Sequence, residues 1–584
     1  MLLPLQTVGH ESAAYSGKTA MRNWGLFAVG LTLILAGAFI AGRIQTSGGV
    51  TVTDVRFKGT GGVTMSGLLY TPKTATAATP APGILAVHGY INSRETQSAF
   101  AIEFARRGYV VLALDQTGHG YSGGAAFSNG FGGPDGLKYL RSLPTVDKAN
   151  IGLEGHSMGG WTVLAAAAAM PDAYKAVVLE GSSTGAPFAA EGTPVWPRNM
   201  ALVFSRYDEF STIMWGVKRA QDVVASPKLK TVFGTTADVV PGQVYGDIAG
   251  GTARRLTQPV TTHPGDHIST AAVGDATDWF AKTLTGGTPR PAADQIWIWK
   301  EVATGVAFIG FVVVLLGAFN GLLGLPAFAA LRHEPEAAVQ WRTGRCWAGL
   351  MTTALLPVLT FFPAFIAVTV LLKPSALLPQ SITNQVVAWA LVNAALTLII
   401  GWFGRKRAMA TFDNRWVPAV AIAVATVAVG YLSLVAMDAL FKVDFRFWVV
   451  ALKLFSLAQF KIALVYVLPL TAFFLVATRA LHGRLPVLGD GPVKTYATSI
   501  AAMSLGFLLL LIVDYGLFFA TGRLPTDFDP LSTVVAIQFL PLMAIVALIS
   551  TFTWRRTGSY VPGAVICGLF VTWYVVAGTA TQVV

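Results

Sequence analysis

The sequence predicts two unlike halves. Residues 43–288 read as an α/β domain, with a mostly parallel sheet and helices on both faces, and residues 303–584 as a polytopic all-α transmembrane domain. Three observations predict this. Charge is partitioned: residues 43–300 hold 22 Lys/Arg against 19 Asp/Glu, while 301–584 hold 18 against 10. Short β-branched runs alternate with helical patterns in the first half. Long apolar runs, each able to cross a hydrocarbon core of roughly 30 Å, fill the second. The average over 584 residues, 12% charged with a mean hydropathy of +0.57, is half the roughly 25% charge of a soluble protein and excludes disorder and a disulfide scaffold. The two cysteines, Cys346 and Cys567, lie in apolar segments and imply no redox framework.

The elements follow in order. A cytoplasmic N-terminus (1–23) precedes a first apolar helix at 24–42, with Lys18 and Arg22 just before it. Its Ala36-Gly37-Ala38 also fits a cleavable signal, but the apolar run continues past that point. Strands are expected at Val50–Phe57, Val63–Tyr70, Gly83–His88, Tyr109–Asp115, Ile151–Glu154, Ala176–Glu180, Met200–Ser205 and Arg255–Thr261. Helices are expected at Thr96–Arg107, Gly136–Leu143, Trp161–Met170 and Thr270–Leu284, before a linker over 289–302. Eight spans follow, near 303–325, 346–372, 385–402, 416–440, 460–480, 497–520, 533–553 and 561–581. The apolar stretch 447–459 is too short to span and carries Lys453; it reads as a re-entrant or interfacial helix.

Basic residues orient the whole. With the N-terminus inside, inner loops hold Arg332, Arg342, Arg345, Arg405, Lys406, Arg407, Arg415, Arg479, Arg484, Lys494, Arg555 and Arg556, against Lys373, Lys442, Arg446 and Arg523 outside. This positive-inside bias places the α/β domain outside the cytoplasm, as in a multi-pass protein of the plasma (inner) membrane. The net +12 is then topological, and nucleic acid is not an expected partner. The bilayer and a small acyl or lipid-like molecule are.

Gly155-His156-Ser157-Met158-Gly159-Gly160 follows one expected strand and opens a helix. A nucleophile on such a turn needs small neighbours, and the helix N-terminus behind it offers free N–H groups to an oxyanion. His88-Gly89-Tyr90 closes an earlier strand, and Asp115-Gln116-Thr117-Gly118-His119-Gly120-Tyr121-Ser122 follows the next. Over residues 50–288 the chain resembles the α/β-hydrolase superfamily, above all its lipase, esterase and dienelactone-hydrolase-like branches. The resemblance implies Ser157 as nucleophile and backbone N–H groups of Tyr90 and Met158 as oxyanion donors. It makes the Asp115–Ser122 segment, His119 included, a loop-shaping element. It also implies an acid and then a histidine further along: Asp208, with Glu209 as the alternative, and His267, with His263 as the alternative. A serine esterase or lipase-like enzyme without metal or cofactor follows, peptidase and acyltransferase chemistry sharing the same residues. A transporter or signalling protein with an accessory hydrolase-like domain is the second class. Gly185–Pro197 is expected to cover the site through Phe188 and Trp196. Asp438, Lys453, Lys461 and Asp514, charged at membrane depth, are expected to line a polar pocket or to pair structurally, as Asp514 with Lys461.

Overall fold

The computed structural model describes residues 10–334, 343–403, 415–484 and 491–583. Helix α1 (His10–Gln45) leads into strands β1 (Val50–Lys58), β2 (Thr64–Pro72) and β3 (Ala81–Val87). Then come α2 (Ser98–Arg106), β4 (Val110–Asp115), α3 (Gly133–Ser142), β5 (Val146–His156) and α4 (Met158–Ala169). Next are β6 (Ala176–Glu180), β7 (Met200–Val203), α5 (Ser211–Trp215), α6 (Pro227–Phe233), β8 (Val244–Tyr245), β9 (Arg254–Thr257) and α7 (Thr270–Thr283). The nine strands form one sheet in the order β1-β2-β4-β3-β5-β6-β7-β9-β8. It is parallel from β4 to β9 and antiparallel at both edges. Strands β3, β4, β6 and β7 are buried along their whole length, which is why they read as unbroken apolar runs. All eight expected strands are present. β5 starts earlier than expected, β9 stops at Thr257, and the two-residue edge strand β8 carried no periodic signal.

The second half contains α8 (Trp297–Leu323), α9 (Thr343–Leu359), α10 (Phe361–Leu371), α11 (Ser381–Phe403) and α12 (Trp416–Phe441). A hairpin of β10 (Phe445–Phe447) and β11 (Val450–Leu452) separates these from α13 (Leu457–Arg484), α14 (Pro492–Thr521), α15 (Pro530–Thr557) and α16 (Val561–Gly578). Among the described residues nine helical segments are long and apolar enough to cross a membrane; α9 and α10 together make one, beginning at Trp347. Of the inner-loop bases, Arg342, Arg405, Lys406 and Arg407 lie outside the described residues.

The expected helix over 447–459 is corrected: its first part is the β10–β11 hairpin. Phe445, Phe447 and Val450 are sheet-forming residues, and Trp448 takes a positive φ of 53° at the two-residue turn. The stretch is not among the helices long and apolar enough to span, and the residues after α16 return to the α/β domain. There Thr581 donates its N–H to the Gly118 carbonyl (2.8 Å) and accepts that of Ala126 (2.8 Å).

Helices α1 and α8 tie the halves together at glycine contacts. A Cβ on Gly37 would lie 2.5 Å from the Ala303 carbonyl oxygen, and one on Gly317 would lie 2.3 Å from the Phe27 nitrogen. Such approach is how small residues drive helix pairing in lipid, where burial itself supplies no drive. The Ala36-Gly37-Ala38 run serves this packing. Gly317→Leu is expected to destabilise the protein by at least about 2 kcal/mol, since overpacking against backbone cannot relax by a rotamer change. Thermal unfolding in detergent checks this; an unchanged midpoint contradicts it.

Candidate active site

Ser157 sits between the last residue of β5 and the first of α4, at φ 54° and ψ −123°. A non-glycine residue there costs of the order of 1–3 kcal/mol, borne by the surrounding structure. Local sterics show how. A Cβ on Gly155 would lie 2.2 Å from the Gly159 carbonyl oxygen, and one on Gly159 would lie 2.1 Å from that of Val87. The Ser157 N–H is anchored on the Glu180 carbonyl of the neighbouring strand (2.8 Å). The G-x-S-x-G spacing is thus a packing requirement of the turn.

The loop after β3 closes on the same point. A Cβ on Gly89 would come within 3.0 Å of the Ser157 Cβ, so only glycine lets the Gly89-Tyr90 backbone approach. His88 fixes that loop. Its Nε2 accepts the Gln116 N–H (3.2 Å), which leaves Nδ1–H to donate to the Gly89 carbonyl (2.7 Å). Burial holds its pKa well below the usual value, so the ring is neutral. Asp115 organises the next loop. It accepts the N–H of Arg94 (2.9 Å) and of Tyr121 (3.1 Å) and the Ser66 hydroxyl (2.8 Å). His119 is buried, hydrogen-bonded to the Thr117 carbonyl (3.0 Å) and set edge-on to Tyr90; it shapes the loop.

The structure places His263, not His267, against the acid, which corrects the first choice of histidine. His263 Nδ1 lies 2.8 Å from Asp208 Oδ2, and Asp208 Oδ1 accepts the Phe210 N–H (2.8 Å). The reason is register. A parallel bridge between Tyr207 and Thr262 prolongs the β7–β9 pairing, so the next residue emerges beside Asp208. The chain then enters a 3-10 turn, Pro264–Ile268, which carries His267 back onto His156 at a ring separation of 4.1 Å. Both His267 ring nitrogens are buried without a hydrogen-bond partner, and burial holds its pKa well below the usual value. Burial likewise lowers the His263 pKa to about 3 and raises that of Asp208, so the resting pair resists becoming charged.

Glu209, the alternative acid, has a different place. Its Oε2 accepts the backbone N–H of His263 (2.7 Å) and its Oε1 the hydroxyl of Tyr515 on α14 (2.7 Å). Burial, with the Asp208 charge alongside, pushes its pKa up to about 8. From the other side, the indole of Trp448 on the β10–β11 turn donates to the Pro264 carbonyl (2.7 Å), and its backbone N–H is held by Glu301 (2.6 Å). The His263 loop is therefore gripped by two elements of the helical half. Nothing in the sequence pointed to Tyr515 or Trp448, because partners more than 180 residues away leave no local pattern.

Ser157, Tyr90, Met158, His263 and His267 all line one cavity of about 550 Å³. Its α/β wall is aromatic: Phe188 stacks on Phe127 (5.7 Å) and packs on Trp161 (5.0 Å). The opposite wall comes from the helical half, through Trp448, Phe528, Leu531 and Val534. Phe528, Ile213 and Phe188 remain 63%, 50% and 47% exposed while lining it, which marks the rim of the mouth. The expected cover is thus half right. Phe188 lines the site, but Trp196 packs against the core of the α/β domain and does not line it. The four membrane-depth charges do not gather in one pocket either. Asp514 accepts the Thr526 hydroxyl (2.8 Å), Lys461 is exposed on α13, and no ion pair joins them among the described residues. Asp438 is half-buried on α12, and Lys453 alone lines a cavity. Among the described residues no group of His, Cys, Asp and Glu has the geometry of a metal site.

Sheet order, nucleophile turn and the acid–histidine pair after β7 and β9 are those of one superfamily, and a family described as serine aminopeptidase, S33, matches residues 78–208. This domain has the α/β-hydrolase fold. The chain is 33% identical over 144 residues to a monoacylglycerol lipase of Mycolicibacterium smegmatis, covering 23% of this chain and 49% of the lipase; it spans about half the length of that relative. Among solved structures, a Pyrococcus furiosus esterase is 19% identical over 41% of this chain and 92% of its own, at a TM-score of 0.30. A dienelactone hydrolase of Anabaena variabilis is 19% identical over 40% and 99%, at 0.27. The Tyr515 contact is directly testable. Tyr515→Phe leaves a buried Glu209 oxygen without its donor, a loss of about 1–3 kcal/mol that should lower the unfolding midpoint. An unaltered midpoint would show that the contact carries no stability.

Proposed function

We propose that this protein is a multi-pass membrane serine hydrolase that cleaves acyl esters on the extracytoplasmic face. The observation that carries the reading is the joint placement of Ser157 and the His263–Asp208 pair on one apolar cavity. Serine is too weak an acid to attack unaided, so His263 takes its proton as the hydroxyl oxygen adds to the ester carbonyl. Asp208 holds the ring through Nδ1, leaves Nε2 to the serine, and stabilises the imidazolium. The oxyanion is received by the N–H groups of Met158 and Tyr90, each such donor typically worth about 3–4 kcal/mol. His263 returns the proton to the departing alcohol. The acyl-enzyme is then released by water through the same steps in reverse. The apolar lining favours an acyl chain over a peptide, in keeping with the likeness to a Mycolicibacterium monoacylglycerol lipase.

The orientation rests on charge. Arg332, Arg415, Arg479, Lys494, Arg555 and Arg556 cluster at the helix ends away from the hydrolase, and the positive-inside rule places that side in the cytoplasm.

Ser157→Ala should abolish labelling by a fluorophosphonate and cut ester turnover by roughly 10³-fold or more. His263→Ala should do comparable damage, while His267→Ala should cost less than about tenfold, because His267 stands off the acid. The opposite ranking of the two histidine variants would return the base to His267. The pH profile is a separate check. A general base works only unprotonated, and burial lowers the His263 pKa to about 3, so activity is lost only as pH falls toward that value. The acid limb of kcat/KM should therefore lie well below the usual histidine value of about 6.5. A limb at or above 6.5 contradicts this placement of the base.

A further inference from the structure

A second, smaller cavity of about 50 Å³ lies against the first, and Ile91, Asn92, Thr96, Trp448, Val449 and Gln538 line both. It sits where the β10–β11 hairpin meets α11, α15 and α16, and its walls bring in two cations, Lys453 and Arg446. Arg446 is already satisfied. Its guanidinium grips Asp444 through Nε and Nη2 (2.9 and 2.6 Å) and donates to the Thr96 hydroxyl (3.1 Å).

Lys453 is different. It is 93% buried and its carbonyl accepts the Trp573 indole (2.7 Å), yet among the described residues its ammonium makes no hydrogen bond and no ion pair to the protein. The acceptors nearby are taken. Glu95 binds Arg94 (3.0 Å) and the Ser93 hydroxyl (2.5 Å), and Asp115 binds Arg94, Ser66 and Tyr121. The Val576 carbonyl near the end of α16 and the Thr579 carbonyl just after it receive the Gln380 amide (3.0 and 3.4 Å). A buried ammonium without acceptors is costly, so a side chain kept in that state beside a reaction cavity has its donors free for something that enters.

We propose that this chamber is a subsite for an anionic headgroup, a phosphate or a carboxylate, carried by the ester whose carbonyl lies at Ser157. The proposal rests on the hydrolase reading and names its substrate class: a single-chain amphiphile with a negatively charged polar end. The acyl chain takes the large apolar cavity, and the charged end takes the donors of Lys453, with Asn92 and Gln538 on the path between. Lys453 is a specificity residue in this scheme; it takes no part in bond making.

The test uses the full-length protein in lipid nanodiscs and four esters of one acyl chain: with p-nitrophenol, glycerol, glycerol phosphate and glycerate. The wild type should favour the two anionic esters over acylglycerol in kcat/KM by about 10- to 100-fold, the worth of hydrogen bonds to a charged group. The ratio between those two tells phosphate from carboxylate. Lys453→Met should remove the preference and leave p-nitrophenyl ester turnover within about twofold. A wild type without preference, or a variant that keeps it, overturns the subsite. Should the variant not fold, glycerol phosphate should inhibit wild-type acylglycerol turnover competitively where glycerol does not; equal behaviour of the two overturns it as well. If no ester is turned over and Ser157 is not labelled by a fluorophosphonate, the hydrolase reading falls, and this one with it.

Discussion

The Glu209 carboxylate is the constraint on which the site depends. A buried carboxylate is tolerated only when its oxygens are bonded, and this one divides them between two structural worlds. One oxygen holds the backbone N–H of His263, the other the hydroxyl of Tyr515 in a membrane helix. Loss of either partner leaves a costly orphan, so the His263 loop and α14 hold one another in place. Trp448 adds a second tether one residue further on, at Pro264. The helical half is therefore part of the scaffold that sets the histidine, which explains why the domain carries far more membrane protein than an anchor requires.

The rest of the junction follows the same logic. α16 is the most enclosed span, with 89% of its apolar window buried inside the protein, against 22% for the α9–α10 span. It acts as a central post, and its tail reaches the Gly118 loop and donates from Gln582 to the Tyr90 hydroxyl (2.8 Å). Charges are held in matched sets, Arg446 with Asp444 at the hairpin and, within the α/β domain, Arg94 with Asp54 and Glu95 and Arg107 with Glu103. Breaking such a buried set is far more damaging than its net contribution suggests. Arg446 also reaches across to the Thr96 hydroxyl (3.1 Å), which adds a contact in fixed register between the hairpin and the α/β domain.

How much of this was legible depends on how far each determinant reaches along the chain. The nucleophile turn is readable because its cause is local: Gly155 and Gly159 are excluded from bearing a Cβ by atoms within the same turn and the adjacent strand. Asp208 is readable for a similar reason, lying just past β7. The partner of Asp208 is not legible in the same way, because His263 and His267 flank one 3-10 turn and look alike in sequence. Which of them meets Asp208 is decided by a single bridge, Tyr207 to Thr262, that extends a strand pairing by one step. The hairpin is hidden within the helix expected over 447–459 because its turn, Trp448-Val449, lacks the glycine or asparagine that advertises a reversal. Lys453 stands out in the sequence as a charge at membrane depth, but its separation from Asp438, Asp514 and Lys461 does not, since hydropathy gives depth but not the face on which a residue lies.

The double origin of the large cavity bears on how a substrate in the proposed reading would arrive. An acyl chain drawn from a bilayer into water loses about 0.8 kcal/mol per methylene, more than 10 kcal/mol for a chain of about sixteen carbons. A hydrolase detached from the membrane has to recover that cost inside its own pocket. Here one wall of the cavity is built by the start of α15, through Leu531 and Val534, and its rim by Phe528 in the loop between two spans. A chain moving from lipid to that wall exchanges one apolar surrounding for another and forfeits little. Binding energy is then free to act where selection is made, at the ester carbonyl beside Ser157 and at the polar end of the ligand. That division of labour requires the catalytic loop and the membrane wall to keep a fixed distance, and the Glu209–Tyr515 and Trp448–Pro264 contacts are placed to impose it.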